Sequence, residues 1–104
     1  MSKDSYRTIM MKPMDDVAVA LEDIPSGTEV VVNVSKEQTA RITLYSKIAF
    51  GHKFAVTNIK KGSDILKYGE VIGRATRDIQ KGEHVHVHNL EGTRGRGDKV
   101  GTNE

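Results

Sequence analysis

Alternation of apolar and polar residues dominates this chain. In "DVAVALE" (16–22), Val17, Val19 and Leu21 fall on one face of an extended segment. "EVVVNV", "ARITLY", "HKFAVTNI", "EVIGRAT" and "HVHVHNL" read as five further strands, short and mostly bounded by Gly or Asp. Met10–Leu21 has the best case for a helix, and its valines argue against one. A short helical turn fits near Ser63–Lys67. The pattern predicts an all-β fold, a compact barrel-like domain or clip with irregular connections.

A recurring turn supports that expectation. "DIPSGTEV" (23–30), "NIKKGSDI" (58–65) and "DIQKGEHV" (78–85) share Asp or Asn, Ile, two variable residues, Gly, two variable residues, then a β-branched residue. The isoleucine anchors a strand end in the core. Gly27, Gly62 or Gly82 supplies the positive φ that closes the turn. The copies are unequally spaced, so this is a turn device within one fold rather than a solenoid repeat.

Composition narrows the class. The chain has 104 residues, 37% hydrophobic and 29% charged, the size of one small domain with a thin core. A domain this short buries only about two thirds of its unfolded surface, which favours a partner chain or a homo-oligomer. Sixteen basic and 14 acidic residues leave a net charge of +2, with Lys60–Lys61 the longest basic run. That scatter, with five aromatic residues, argues against nucleic-acid binding. The absence of cysteine excludes disulfides and a thiol nucleophile. No apolar run reaches the ~20 residues of a membrane helix. The first residues do not read as a signal peptide, so the expected location is cytoplasmic. Residues 1–11 read as a mobile N-terminus, 12–90 as the folded domain and 91–104 as a flexible glycine-rich tail.

Candidate chemistry is concentrated in imidazoles. His84, His86 and His88 alternate with Val85 and Val87, and a continuous strand would line the histidines on one face and send both valines into the core. Such a face suits metal ligation, acid–base chemistry or substrate contact, or is simply a polar strand surface. The remaining histidine, His52, opens "HKFAV", where Gly51 permits an unusual backbone, Phe54 and Val56 share the face of His52, and Lys53 takes the other. In "LKYGEVIG", Tyr68–Gly69 reads as a turn, and Lys67 offers a cation for a carboxylate.

Together, "FGHK", "KYGEVIG" and "HVHN", in this order and preceded by "DDVAVALEDIPSGTEV", resemble the altronate/galactarate dehydratase group (the UxaA-like hydrolases). The similar element is the small-subunit or N-terminal SAF domain, which also occurs as the small subunit of sulfolactate sulfo-lyase. The resemblance spans Lys12 to about Leu90. It implies an SAF-type β-clip and the small subunit of a two-component carbon–oxygen or carbon–sulfur lyase acting on an acidic substrate: a sugar acid such as altronate or galactarate, or sulfolactate. The chain would be inactive without its large subunit, no membrane being involved. By that likeness His52, Lys53, His86 and His88 are the catalytic groups, and Gly51, Lys67, Tyr68, Gly69 and Asn89 contact substrate. A divalent metal, Fe2+ by the family pattern, would be held mainly by the large subunit, with His86 and His88 as further ligands. His84 falls where the family pattern is permissive and ranks lower. Three positions depart from the pattern: Lys12 and Asp16 replace the His and Asn of H-P-x-D-N-V, and Ala49 stands where proline is common. The rival expectation is a non-catalytic SAF module that recognises a sugar acid or docks a larger enzyme.

Overall fold

A computed structural model of the chain describes residues 6–92. Nine strands form among them: β1 (Thr8–Ile9), β2 (Val17–Ala20), β3 (Glu29–Ser35), β4 (Gln38–Thr43), β5 (Lys53–Ala55), β6 (Asp64–Lys67), β7 (Glu70–Ala75), β8 (His84–Val85) and β9 (Leu90–Gly92). All pairings are antiparallel, in three sheets ordered β1-β2-β5-β8, β3-β4 and β6-β7-β9. The protein is all-β. The sheets are open in their hydrogen-bonded order, so the expected barrel-like closure is not seen among the described residues. No helix among them is long and apolar enough to cross a membrane.

The turn device occurs four times among the described residues. Its fourth copy, Lys47–Phe54, carries Lys for the usual Asp or Asn and Phe for the β-branched residue, which hides it from the sequence pattern. Gly27, Gly51, Gly62 and Gly82 all have positive φ, between 80° and 95°. The copies pair off. Ile24 and Ile48 exchange backbone hydrogen bonds, as do Ile59 and Ile79. Each turn glycine then donates its N–H across its pair: Gly27 to Leu44, Gly51 to Ala20, Gly62 to Ala75 and Gly82 to Ala55. This reciprocity satisfies backbone groups that irregular loops would otherwise leave buried and unpaired. It lets a small chain hold together with little regular sheet.

Each pair has its own core. Ile24 and Ile48 pack with Val30, Val32 and Phe54; Ile59 and Ile79 pack with Ile65, Ala75 and Val85. Strands β2 and β5 divide the two cores: Ala18, Ala20 and Phe54 face the first, Val17 and Ala55 the second. That position departs from the grouping of Val17, Val19 and Leu21 on one face. Every residue of β2 is buried, because β2 lies between two apolar layers, while Leu21 reaches the surface.

Other elements also differ from expectation. No helical turn forms near Ser63–Lys67; Asp64–Lys67 is β6, held as a strand by burial of Ile65 and pairing with β7. The ordered unit starts before Lys12, because β1 pairs with β2 in the register Thr8↔Ala20 and Ile9↔Val19. At the other end, β9 extends to Gly92 on β7. The mobility expected of 1–11 and 91–104 falls in part on residues 1–5 and 93–104, which lie outside the described residues.

Candidate functional site

The segment "HVHVHNL" is not one strand. Pairing stops at Val85, and residues 86–89 form a turn. The cause is Asn89, which has no exposure to solvent. Its Oδ1 accepts from the N–H of His86 at 3.0 Å, and its Nδ2 donates to the carbonyl of His84 at 2.8 Å. The N–H groups of Asn89 and Leu90 both donate to the carbonyl of His86. A side-chain amide that satisfies neighbouring backbone groups competes directly with strand pairing, and here it prevails. Val87, expected in the core, is therefore 79% exposed.

The turn still gathers imidazoles. The register Phe54↔His84 places His84 opposite Phe54. His52, two residues before Phe54, is then its diagonal neighbour on the same face. Nδ1 of His52 lies 3.0 Å from Nε2 of His84, so one ring donates a proton to the other. The His86 ring centroid is 4.9 Å from that of His52 and 5.5 Å from that of His84. His88 reaches His84 at 5.4 Å. One nitrogen from each of His52, His84 and His86 lies within 4.8 Å of the other two, a trio that leaves out His88. The residue ranked lowest by motif, His84, is thus central.

Positive charge surrounds the trio. Lys53 projects from the other face of β5, across from Val19 and Val85. Burial, followed by the charge of Lys67, pushes the Lys53 ammonium below its ordinary pKa. His84 is lowered by desolvation and then by His52, His88, His86 and Lys53. His86 is exposed, yet desolvation and the charges of His52, Lys53 and His88 lower it too. Lys53 therefore ties the histidines to Lys67 electrostatically.

Lys67 begins the second part of the site. Tyr68 and Gly69 have φ of 56° and 79°, the two positive values of a tight hairpin turn between β6 and β7. Tyr68 is the one non-glycine residue with positive φ among those described. The Lys67 ammonium lies 4.9 Å above the Tyr68 ring centroid. Beneath the turn, buried Asp15 accepts from the N–H groups of Gly69 at 2.8 Å and Lys12 at 3.1 Å. Asp16 accepts from the N–H of Leu66 at 2.9 Å. Desolvation raises the Asp16 carboxyl, the Leu66 bond opposes this, and Asp15 adds to it. A Cβ at Gly69 would stand 3.4 Å from the Lys12 side chain. Lys12 thus abuts the Tyr68–Gly69 turn.

The predicted residues have separate tasks. His52 and His86 come together with His84, while Lys53 projects from the other face of β5; His88 flanks the trio; Lys67, Tyr68 and Gly69 form the β6–β7 turn; Gly51 shapes the entry to His52. Asn89 holds the backbone of His84 and His86. Asp15 was missed by the motif reading, although the H-P-x-D-N-V pattern contains it. An open groove of about 790 Å3, lined by Arg41, Tyr45, Asn58, Lys60, Gln80 and Lys81 among others, contains none of these residues. His52 and His84 are half-buried, and His86 and His88 are exposed.

The family model for the altronate/galactarate dehydratase SAF domain matches residues 6–93. The chain is 51% identical over 81 residues to altronate dehydratase of Escherichia coli (strain K12), covering 78% of this chain and 15% of that protein. It is 42% identical over 84 residues to altronate dehydratase of Bacillus subtilis (strain 168), covering 80% of this chain and 16% of that protein. Against (2R)-sulfolactate sulfo-lyase subunit alpha of Chromohalobacter salexigens, identity is 32% over 74 residues, covering 70% of this chain and 79% of the relative. The chain therefore spans less than a sixth of the E. coli relative's length and most of the sulfo-lyase subunit's.

Proposed function

The chain belongs to the altronate/galactarate dehydratase SAF-domain family, and on that basis we propose that it is the small subunit of a two-component lyase for an acidic hydroxy compound. The substrate class is a sugar acid or sulfolactate. One observation carries the reading: imidazoles from two distant segments meet on an open surface beside Lys53, where a larger catalytic partner can cover them.

The residue types suit β-elimination. A base removes the proton α to the substrate carboxylate, the bond from the β-carbon to hydroxyl or sulfonate breaks, and water or sulfite leaves. Lowered basicity keeps His84 and His86 neutral near pH 7, able either to accept a proton or to ligate a metal ion. Lys53 and Lys67 supply cationic charge for the carboxylate and for negative charge developing on its enolate-like form. In this scheme His88, outside the trio, would give a proton to the leaving hydroxyl. The Tyr68–Gly69 turn offers its aromatic face and backbone to the substrate. The imidazoles also fit a divalent cation, which when bound would polarise substrate oxygens as a Lewis acid.

Co-purification with a large dehydratase subunit, followed by assays on altronate, galactarate and sulfolactate, tests this. The chain alone is expected to be inactive and the complex active. His86→Ala or His88→Ala should abolish turnover while leaving the domain folded and the complex assembled. Full activity of both variant complexes would instead identify a non-catalytic docking module. Turnover by the lone chain would refute the two-component scheme.

A further inference from the structure

We propose that His52, His84 and His86 form a complete three-imidazole face for one divalent transition-metal ion, within this chain and without ligands from a partner. The first support is distance. Nitrogens bound to one metal at about 2.0–2.1 Å lie roughly 2.9–3.4 Å apart in octahedral or tetrahedral geometry. His52 Nδ1 and His84 Nε2 already stand 3.0 Å apart. The His86 nitrogen lies within 4.8 Å of both, on an exposed side chain free to close the remainder by rotation.

Donor type is the second support. Imidazole ligates as the neutral base, and a metal would replace the proton shared between His52 and His84. The donor set contains no carboxylate, which favours Zn2+, Co2+, Ni2+ or Fe2+ over Mg2+ or Ca2+.

Backbone support is the third. Asn89 bonds the carbonyl of His84 and the N–H of His86, so one buried carboxamide fixes both residues that present two of the three ligands. It is a positioning residue, in the manner of outer-shell groups that orient metal ligands. His88 touches His84 from outside the trio, so the inference separates it from the ligands.

The site stands apart from the lyase reading, because it is measured without substrate or partner. Co2+ titrated into the full chain should saturate at one ion, with a visible d–d spectrum and paramagnetically shifted ring signals from His52, His84 and His86. His52→Ala, His84→Ala and His86→Ala should each weaken binding by about 100-fold or more, and Asn89→Ala by about 10-fold. His88→Ala should leave affinity unchanged. The wild-type ring shifts give the answer even if a variant misfolds. No saturable binding, or equal losses from all four histidine variants, overturns the proposal. Metal binding without lyase activity in the complex would sink only the functional reading; activity without metal binding would sink only this one.

Discussion

In the Ile59/Ile79 pair each turn closes the other. Asn58 accepts the N–H of Lys81, and Asp78 accepts that of Lys61, both at 2.9 Å. In the Ile24/Ile48 pair only half of this exchange remains: Asp23 accepts the N–H of Phe50 at 2.8 Å, while Lys47 stands where the second acceptor would be. The backbone exchange is otherwise the same in both pairs. The copy that lost its acceptor is the one leading into His52 and Lys53. The scaffold keeps its main-chain bonds and lets side chains vary, and the variation lies next to the candidate chemistry. That is how four similar turns yield one candidate surface.

Glycine substitutions should break this comparison most strongly. A Cβ at Gly82 would strike the carbonyl oxygen of Thr43, whereas one at Gly27 meets nothing within 4 Å. Gly82→Ala should therefore cost about 4 kcal/mol or more, enough to unfold a small domain. Gly27→Ala should cost only about 1 kcal/mol, for its positive φ. Denaturant midpoints would show this, and equal losses would mean that packing does not distinguish the turns. Asn89→Ala comes next, at about 1–3 kcal/mol, since it leaves a half-buried carbonyl and N–H without their side-chain partner. The smallest effects lie at the first position of the device. Asp78→Ala should cost about 1 kcal/mol, and Lys47→Asp should gain about 0.5–1 kcal/mol by restoring the missing acceptor. A loss of stability in Lys47→Asp would show that the pairs are not equivalent.

Much of this was legible in the sequence, for identifiable reasons. The all-β class follows from alternation, and three of the four turns follow from Asp/Asn-Ile-x-x-Gly. The fourth escaped because Lys47 and Phe54 break the pattern while Ile48 and Gly51 preserve the geometry. Alternation misjudged β2, since period two cannot reveal that both faces are covered when one carries small alanines. It also misjudged Val87, because Asn89 ends the strand through bonds that periodicity does not encode. The family motif named His52, Lys53 and His86. It ranked His84 lower, and the register of β5 against β8 is what brings that ring beside His52.

The pairing of His52 with His84 and His86 is most directly tested by NMR titration of the ring signals in metal-free protein. The account predicts that His84 and His86 titrate below the ordinary histidine value of about 6.5, and that His52→Ala moves both upward. With folded-state values below the unfolded one, stability should fall as pH drops from about 6.5 through those lowered values. His84 and His86 titrating independently near 6.5, indifferent to His52→Ala, would contradict the gathered site.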